Sequence, residues 1–337
     1  MAVSMFSLSH ERGAEVLPPP GAASYASIGV RQLRYMFQWP QMQKTKGGAL
    51  DFSFLDATID NAVAAGLAVN LNPYFFPSWI TGDKAVMTAY DCDCCKLAVP
   101  IPEDQAPSYC YDEVPIDEQA IRDFGAALAA RYAIKVRSWS AWNEPGVRDY
   151  WLSSRDDTAE SSIERWVTKA VLPFVDGVRS KLPAAQFISQ FDAFCNYARA
   201  LEVEASLGVS LFDVIGIHPY SDVAGDDGEI DIDATTDAVI AKVRDEFVPR
   251  IEPFKNGREI RITEIQHCDN VRLMRETSMG VNEHNPERYT DQHEAFSPSG
   301  PILVGSFAPT VEGLVLRQQL AGTRPPKHRH PAGPLEA

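Results

Sequence analysis

The sequence predicts a (β/α)8 (TIM) barrel, and three observations carry the prediction. Runs rich in β-formers alternate with helically periodic runs about eight times along 337 residues. Polar and aromatic residues gather at the C-terminal ends of the strand-like runs, which in such a barrel share one rim. A chain of this length often divides into two domains, but α/β barrels of this size fold as one unit. One barrel is therefore expected over residues 1–321. A Cys-rich insertion over 81–113 follows the third strand, and a Pro- and His-rich tail over 322–337 is expected to be disordered.

Val3 to Leu8 is a short apolar first strand, and 11–24, with Pro18-Pro19-Pro20-Gly21, reads as a loop with a fragment of helix. Gly29 to Trp39 alternates and forms the second strand. Asp51 to Gly66 has helical spacing at Phe54, Leu55, Ile59, Ala62 and Val63, with Gly66 as its C-cap. Leu67 to Phe75 is the third strand, and Asp117 to Tyr132 resumes as a helix after the insertion.

The fourth strand begins at Val136 and runs through Trp139 and Trp142 to an abrupt stop at Asn143-Glu144-Pro145, since proline cannot extend a sheet. Ser161 to Leu182 is helical, with Pro173 expected to kink or divide it. Gln186 to Gln190 is a short strand, 197–207 a helix and Leu211 to His218 a buried strand. Ala234 to Val248 is a helix, and Ile260 to Gln266 a strand carrying Thr263-Glu264. Beyond it the pattern weakens, with Pro301 to Phe307 the candidate last strand and Thr310 to Leu320 the last helix.

The formal charge is −15, from 46 acids against 31 bases, which argues against nucleic acid or an anionic membrane as partner. No apolar run of roughly eighteen residues is present to span a membrane as a helix. The first ten residues lack the basic and apolar regions of a signal peptide, so a cytoplasmic protein is expected, with export open if a leader has been removed. A neutral sugar suits this charge, although solubility alone also explains it.

Arg34, Trp39, Tyr74, Asn143-Glu144, His218 to Tyr220 and Glu264 all fall at or near predicted strand ends. Two carboxylates on one rim have a natural use in glycoside hydrolysis. One protonates the leaving oxygen, and the other acts from the opposite face of the sugar. Their separation decides between retention, at about 5–5.5 Å, and inversion at a larger distance.

Trp142-Asn143-Glu144-Pro145 resembles the acid/base motif of clan A glycoside hydrolases, and Ile262-Thr263-Glu264 resembles their nucleophile strand. Gly29 to Arg34 with Trp39, then Asp51-Phe52-Ser53, resembles the second strand and helix of family 39 and family 5 members. Ile217-His218-Pro219-Tyr220 resembles their sixth-strand His-x-Tyr element. The resemblance implies Glu144 as general acid/base and Glu264 as nucleophile. Arg34 and Tyr220 would support Glu264, Asn143 would bind the sugar 2-hydroxyl, and His218 would support this group. Trp39, Tyr74 and Trp79 are candidates to stack on sugar rings, with core or rim packing as the competing reading.

The expected function is retaining hydrolysis of an O-glycosidic bond, β-linked, in an oligo- or polysaccharide or a small glycoside, with no metal or organic cofactor. The alternative is a carbohydrate-binding barrel that has lost catalysis. One departure from the family pattern motivates it: the last candidate strand ends Gly305-Ser306-Phe307, where these enzymes carry a tryptophan. Cys92, Cys94, Cys95 and Cys110 form a cluster compatible with zinc, a disulfide or free thiols. Its C-x-C-C spacing is not the usual C-x2-C pair of a zinc site, so thiols or a disulfide are expected.

Overall fold

The computed structural model describes residues 5–9, 16–17, 19–27, 32–74, 76–81, 117–145, 163–192, 197–221, 223–225, 231–263, 280–281, 283–284, 303–304 and 308–309. Glu264, the four clustered cysteines, nearly all of the expected insertion and the 322–337 tail lie outside the described residues.

Parallel strands alternate with helices through residue 262 of the described chain. Strands β1 (Met5–Ser9), β2 (Gln32–Gln38), β3 (Ala68–Tyr74) and β4 (Val136–Trp139) pair in that order, all parallel. A second parallel run joins β5 (Phe191–Asp192), β6 (Val214–His218), β7 (Glu259–Ile262) and β8 (Gly280–Val281). Bridges Trp139↔Phe187 and Ile188↔Val214 link the two runs on one side. On the other, β8 pairs with β7 while β9 (Glu283–His284) pairs parallel with β1. The short segments β8 and β9 thus stand at the outer edges of the two parallel runs.

The last strand is not where the sequence placed it. Leu303–Val304 pairs antiparallel with Ala308–Pro309. Only three residues separate the two segments, too few for the dozen-residue crossover that a parallel neighbour needs. The parallel position beside β7 is taken by residues 280–281 instead.

Two prolines inside helical stretches have the same solution. Trp166–Val171 is a π-helical turn that hands over to an α-helix, Leu172–Lys181, with Pro173 in its first turn. Val243–Phe247 is likewise π-helical ahead of Val248–Ile251, which carries Pro249. A widened turn before the proline absorbs the missing N–H and the ring's bulk.

The helices bury the apolar side of the strands. Phe124, on the helix Glu118–Tyr132, stacks on Trp39 at 4.1 Å between ring centroids and meets Phe37 and Phe174. This helix lies so close to Leu172–Lys181 that a Cβ on Gly177 would sit 2.2 Å from the Arg122 carbonyl oxygen. Glycine is required there by space alone.

Candidate active site

Strand β4 ends in a strained turn. Its extension is held on both sides: Ser140 N–H donates to the Leu71 carbonyl (2.9 Å), and Ile188 N–H donates to the Trp139 carbonyl (2.8 Å). Beyond it, Trp142 and Glu144 both adopt left-handed backbone conformations, φ 58° and 40°. Non-glycine residues there cost on the order of 1–3 kcal/mol each and persist only where packing and hydrogen bonds impose them. Here Trp142 stacks on Phe76 at 4.5 Å and meets Phe174 in a T-shaped contact. Glu144 N–H donates to the Gln190 carbonyl at 3.1 Å.

The turn leaves the Glu144 side chain only 7% exposed among polar partners. Its Oε1 lies 2.7 Å from His218 Nδ1, and its Oε2 accepts from Asn143 Nδ2 at 3.3 Å. Asn143 Oδ1 in turn accepts from Arg34 Nη2. Arg34 is fully buried in β2. With its amide oxygen toward Arg34, Asn72 accepts from Nη2 (2.9 Å) and Nε (3.3 Å), while its nitrogen donates to the Trp142 carbonyl (3.2 Å). A guanidinium out of water acts strongly on its surroundings, because little solvent screens it.

His218 belongs to a longer chain of buried polar side chains. Its Nε2 lies 2.9 Å from Gln190 Oε1. Gln190 Nε2 donates to Ser140 Oγ (2.9 Å), Ser140 Oγ donates to Asn70 Oδ1 (3.1 Å), and Asn70 Nδ2 donates to Ser138 Oγ (3.0 Å). The chain crosses β3, β4, the segment before β5 and β6, so backbone register fixes it; Asn70 and Ser138 are direct partners across β3 and β4. Asn70, Asn72, Ser140 and Gln190 are site-linked residues that sequence reading missed. The Asn-x-Asn of β3 and the Ser-x-Ser of β4 were the available signal.

The other sequence candidates divide. Arg34, Asn143, Glu144 and His218 converge directly. Tyr220 follows β6, its ring 6.4 Å from the His218 ring and its carbonyl accepting from Lys242 Nζ at 2.7 Å. Strand β7 brings the chain to Thr263, whose N–H donates to the Ile217 carbonyl at 3.0 Å, immediately before Glu264 in sequence. Trp39 is a correction: it is fully buried, stacked on Phe124 and bonded through Nε1 to Gln43 Oε1 (3.1 Å). No ring face is left for a sugar. Trp79 is half-buried, edge-on to Trp39, with Nε1 donating to the Gln43 carbonyl at 3.1 Å. Tyr74 ends β3, and its side chain lies outside what is described.

No family model matches the chain. No curated protein matches it either. Solved structures do. The chain is similar to Pseudomonas stutzeri endoglucanase Cel5A, with TM-score 0.58 and 14% identity over 94% of each chain. It is similar to a GH30 endoxylanase from Clostridium papyrosolvens C71, with TM-score 0.57 and 13% identity over 96% of this chain and 73% of that one. A monomeric β-xylosidase from Caulobacter crescentus CB15 gives TM-score 0.55 and 13% identity over 94% and 71%. At such identities the likeness is one of fold, and in fold the chain resembles the clan A glycoside hydrolases.

Proposed function

We propose that the chain is a (β/α)8 glycoside hydrolase that cleaves a β-linked O-glycosidic bond with retention. Glu144 acts as general acid/base and Glu264 as nucleophile. The observation that carries the reading is the strained, buried Glu144 turn, joined to His218 and, through Asn143, to Arg34. Backbone strain at a carboxylate with such partners is a mark of a functional site rather than of a helix cap. The fold shared with endoglucanases, an endoxylanase and a β-xylosidase supports a carbohydrate substrate. The P. stutzeri enzyme has been crystallised with cellobiose. By that analogy the substrate class is β-linked gluco- or xylo-oligosaccharides.

In this mechanism Glu264 attacks the anomeric carbon while Glu144 gives its proton to the leaving oxygen, which takes the electron pair of the breaking C–O bond. Glu144, now a carboxylate, takes a proton from water. That water attacks the same carbon and releases Glu264. Arg34 favours the ionised nucleophile by charge. Asn143, its oxygen held by Arg34, is the hydrogen-bonding partner for the sugar 2-hydroxyl, a contact that strengthens in the transition state.

The test is a panel of aryl β-glycosides assayed with wild type, Glu144→Ala and Glu264→Ala. The expected result is loss of kcat in both by about 10²-fold or more, with azide restoring turnover in Glu144→Ala as the β-glycosyl azide and in Glu264→Ala as the α-azide. Full activity in both variants overturns the assignment. Sugar binding by calorimetry with no turnover of any glycoside selects the carbohydrate-binding alternative.

A further inference from the structure

We infer that Gln190 is a positioning residue for the Glu144–His218 pair: it fixes which nitrogen of His218 carries a hydrogen and so holds a second hydrogen in the bridge to Glu144. The catalytic consequence rests on the glycosidase reading above; the placement of the hydrogens does not.

Donors run in one direction along the buried chain. Asn70 donates to Ser138, Ser140 donates to Asn70, and Gln190 donates to Ser140. That direction uses the amide nitrogen of Gln190 on Ser140 and turns its oxygen to His218 Nε2, 2.9 Å away. With the amide in that orientation its oxygen only accepts, which places the hydrogen on Nε2. The other ring nitrogen, Nδ1, is 2.7 Å from Glu144 Oε1. Two bare lone pairs do not sit at that distance in a buried site, so a hydrogen lies between them. The pair therefore holds two hydrogens, one on Nε2 and one in the bridge. Gln190 also grips Glu144 from the other side, its carbonyl accepting the Glu144 N–H at 3.1 Å. One residue thus sets both the backbone of the acid and the ring facing it.

Among the described residues, other groups facing the pair include Arg34 from β2, through Asn143, and the Tyr220 ring after β6. Glu264 follows β7 in sequence. Changing Gln190 removes the 2.9 Å contact to Nε2 and leaves the Nδ1 contact to Glu144 in place.

The experiment is ring-nitrogen NMR of the full chain labelled with [15N]histidine. His218 is assigned among the seven histidines by its loss in His218→Gln. The wild type is expected to show a protonated Nε2 at neutral pH. Gln190→Leu is expected to lose that preference, and Gln190→Glu, which still presents an acceptor, to keep it. On an aryl β-glycoside that the wild type cleaves, Gln190→Leu should lower kcat by about tenfold, part of the 10²–10⁴ a general acid contributes. It should also move the pH–rate profile with KM little changed, while Gln190→Glu stays nearer to wild type. A wild-type His218 with hydrogen on Nδ1 alone overturns the inference, as does a Gln190→Leu protein with unchanged tautomer and profile. If no glycoside is cleaved by the wild type, the glycosidase reading fails, and the nitrogen spectra still decide where the hydrogens are.

Discussion

Strands β2 to β4 have two buried faces built from opposite chemistry. Leu33, Tyr35, Phe37, Val69, Leu71 and Trp139 are at most 2% exposed, and so are Arg34, Asn70, Asn72 and Ser138 between them. Phe37 meets the ring of Phe124 on a helix, whereas Arg34, Asn70 and Ser138 bond to other polar side chains. Equal burial therefore hides unequal roles. The apolar face stabilises in proportion to area, roughly 1.5–3 kcal/mol for each large side chain. The polar face gives only about 1 kcal/mol net per hydrogen bond, yet leaving a member unsatisfied costs about 1–3 kcal/mol. One face makes the fold stable; the other fixes positions within it.

The sharpest break in this comparison is Phe124→Ala. It removes the ring stacked on Trp39 and the contacts to Phe37 and Phe174. The expected loss is about 3–5 kcal/mol of stability, measured by urea unfolding. Activity per folded molecule and its pH profile should stay unchanged. A change in the pH profile would mean that the two faces are coupled more tightly than their contacts suggest.

Asn70→Ala tests the opposite face. It strips partners from both Ser138 and Ser140. The stability loss should be smaller, about 1–3 kcal/mol, but the effect should reach activity through Ser140, Gln190 and His218. If Asn70→Ala lowers stability without touching kcat, the polar chain is structural only.

This two-faced arrangement explains what was legible in the sequence. The β/α alternation was plain, because helices and strands differ in period, and β2, β3 and the helix Glu118–Tyr132 fell within a few residues of expectation. Glu144, Asn143, Arg34 and His218 were legible because charged or imidazole groups at strand ends stand out against apolar runs. Asn70 and Gln190 were not. Small polar residues alternating with apolar ones read as a solvent-facing side, and only parallel pairing on both flanks shows that this side is buried. Trp39 failed for the converse reason: an aromatic at a strand end looks the same whether it awaits a sugar or a neighbouring helix. The strand beside β7 was missed because residues 280–284 are too short and polar to stand out by pattern. Its place is set by pairing to β7 and β1.

A third kind of contact, at the surface, should have the smallest effect. Asp56, on the helix Ser53–Ala64, accepts from Arg131 Nε at 2.6 Å, from Arg131 Nη2 and from Tyr132 Oη at 2.9 Å. The Arg131 hydrogen bonds hold its carboxyl below the usual aspartate value, against a smaller opposing effect of burial. A carboxyl with a lowered folded value contributes stability above its unfolded value, near 4, and loses it as pH falls toward the folded one. Because Arg131 and Asp56 remain 46% and 30% exposed, solvent screening limits the contribution to under about 1 kcal/mol. Asp56→Asn should therefore be slightly less stable than wild type at pH 7. The difference should shrink in high salt and close as pH drops below about 4. Thermal unfolding across pH 3 to 7 measures it, and a gap that widens toward low pH would show that Asp56 acts as a neutral hydrogen-bonding group, not as an ion.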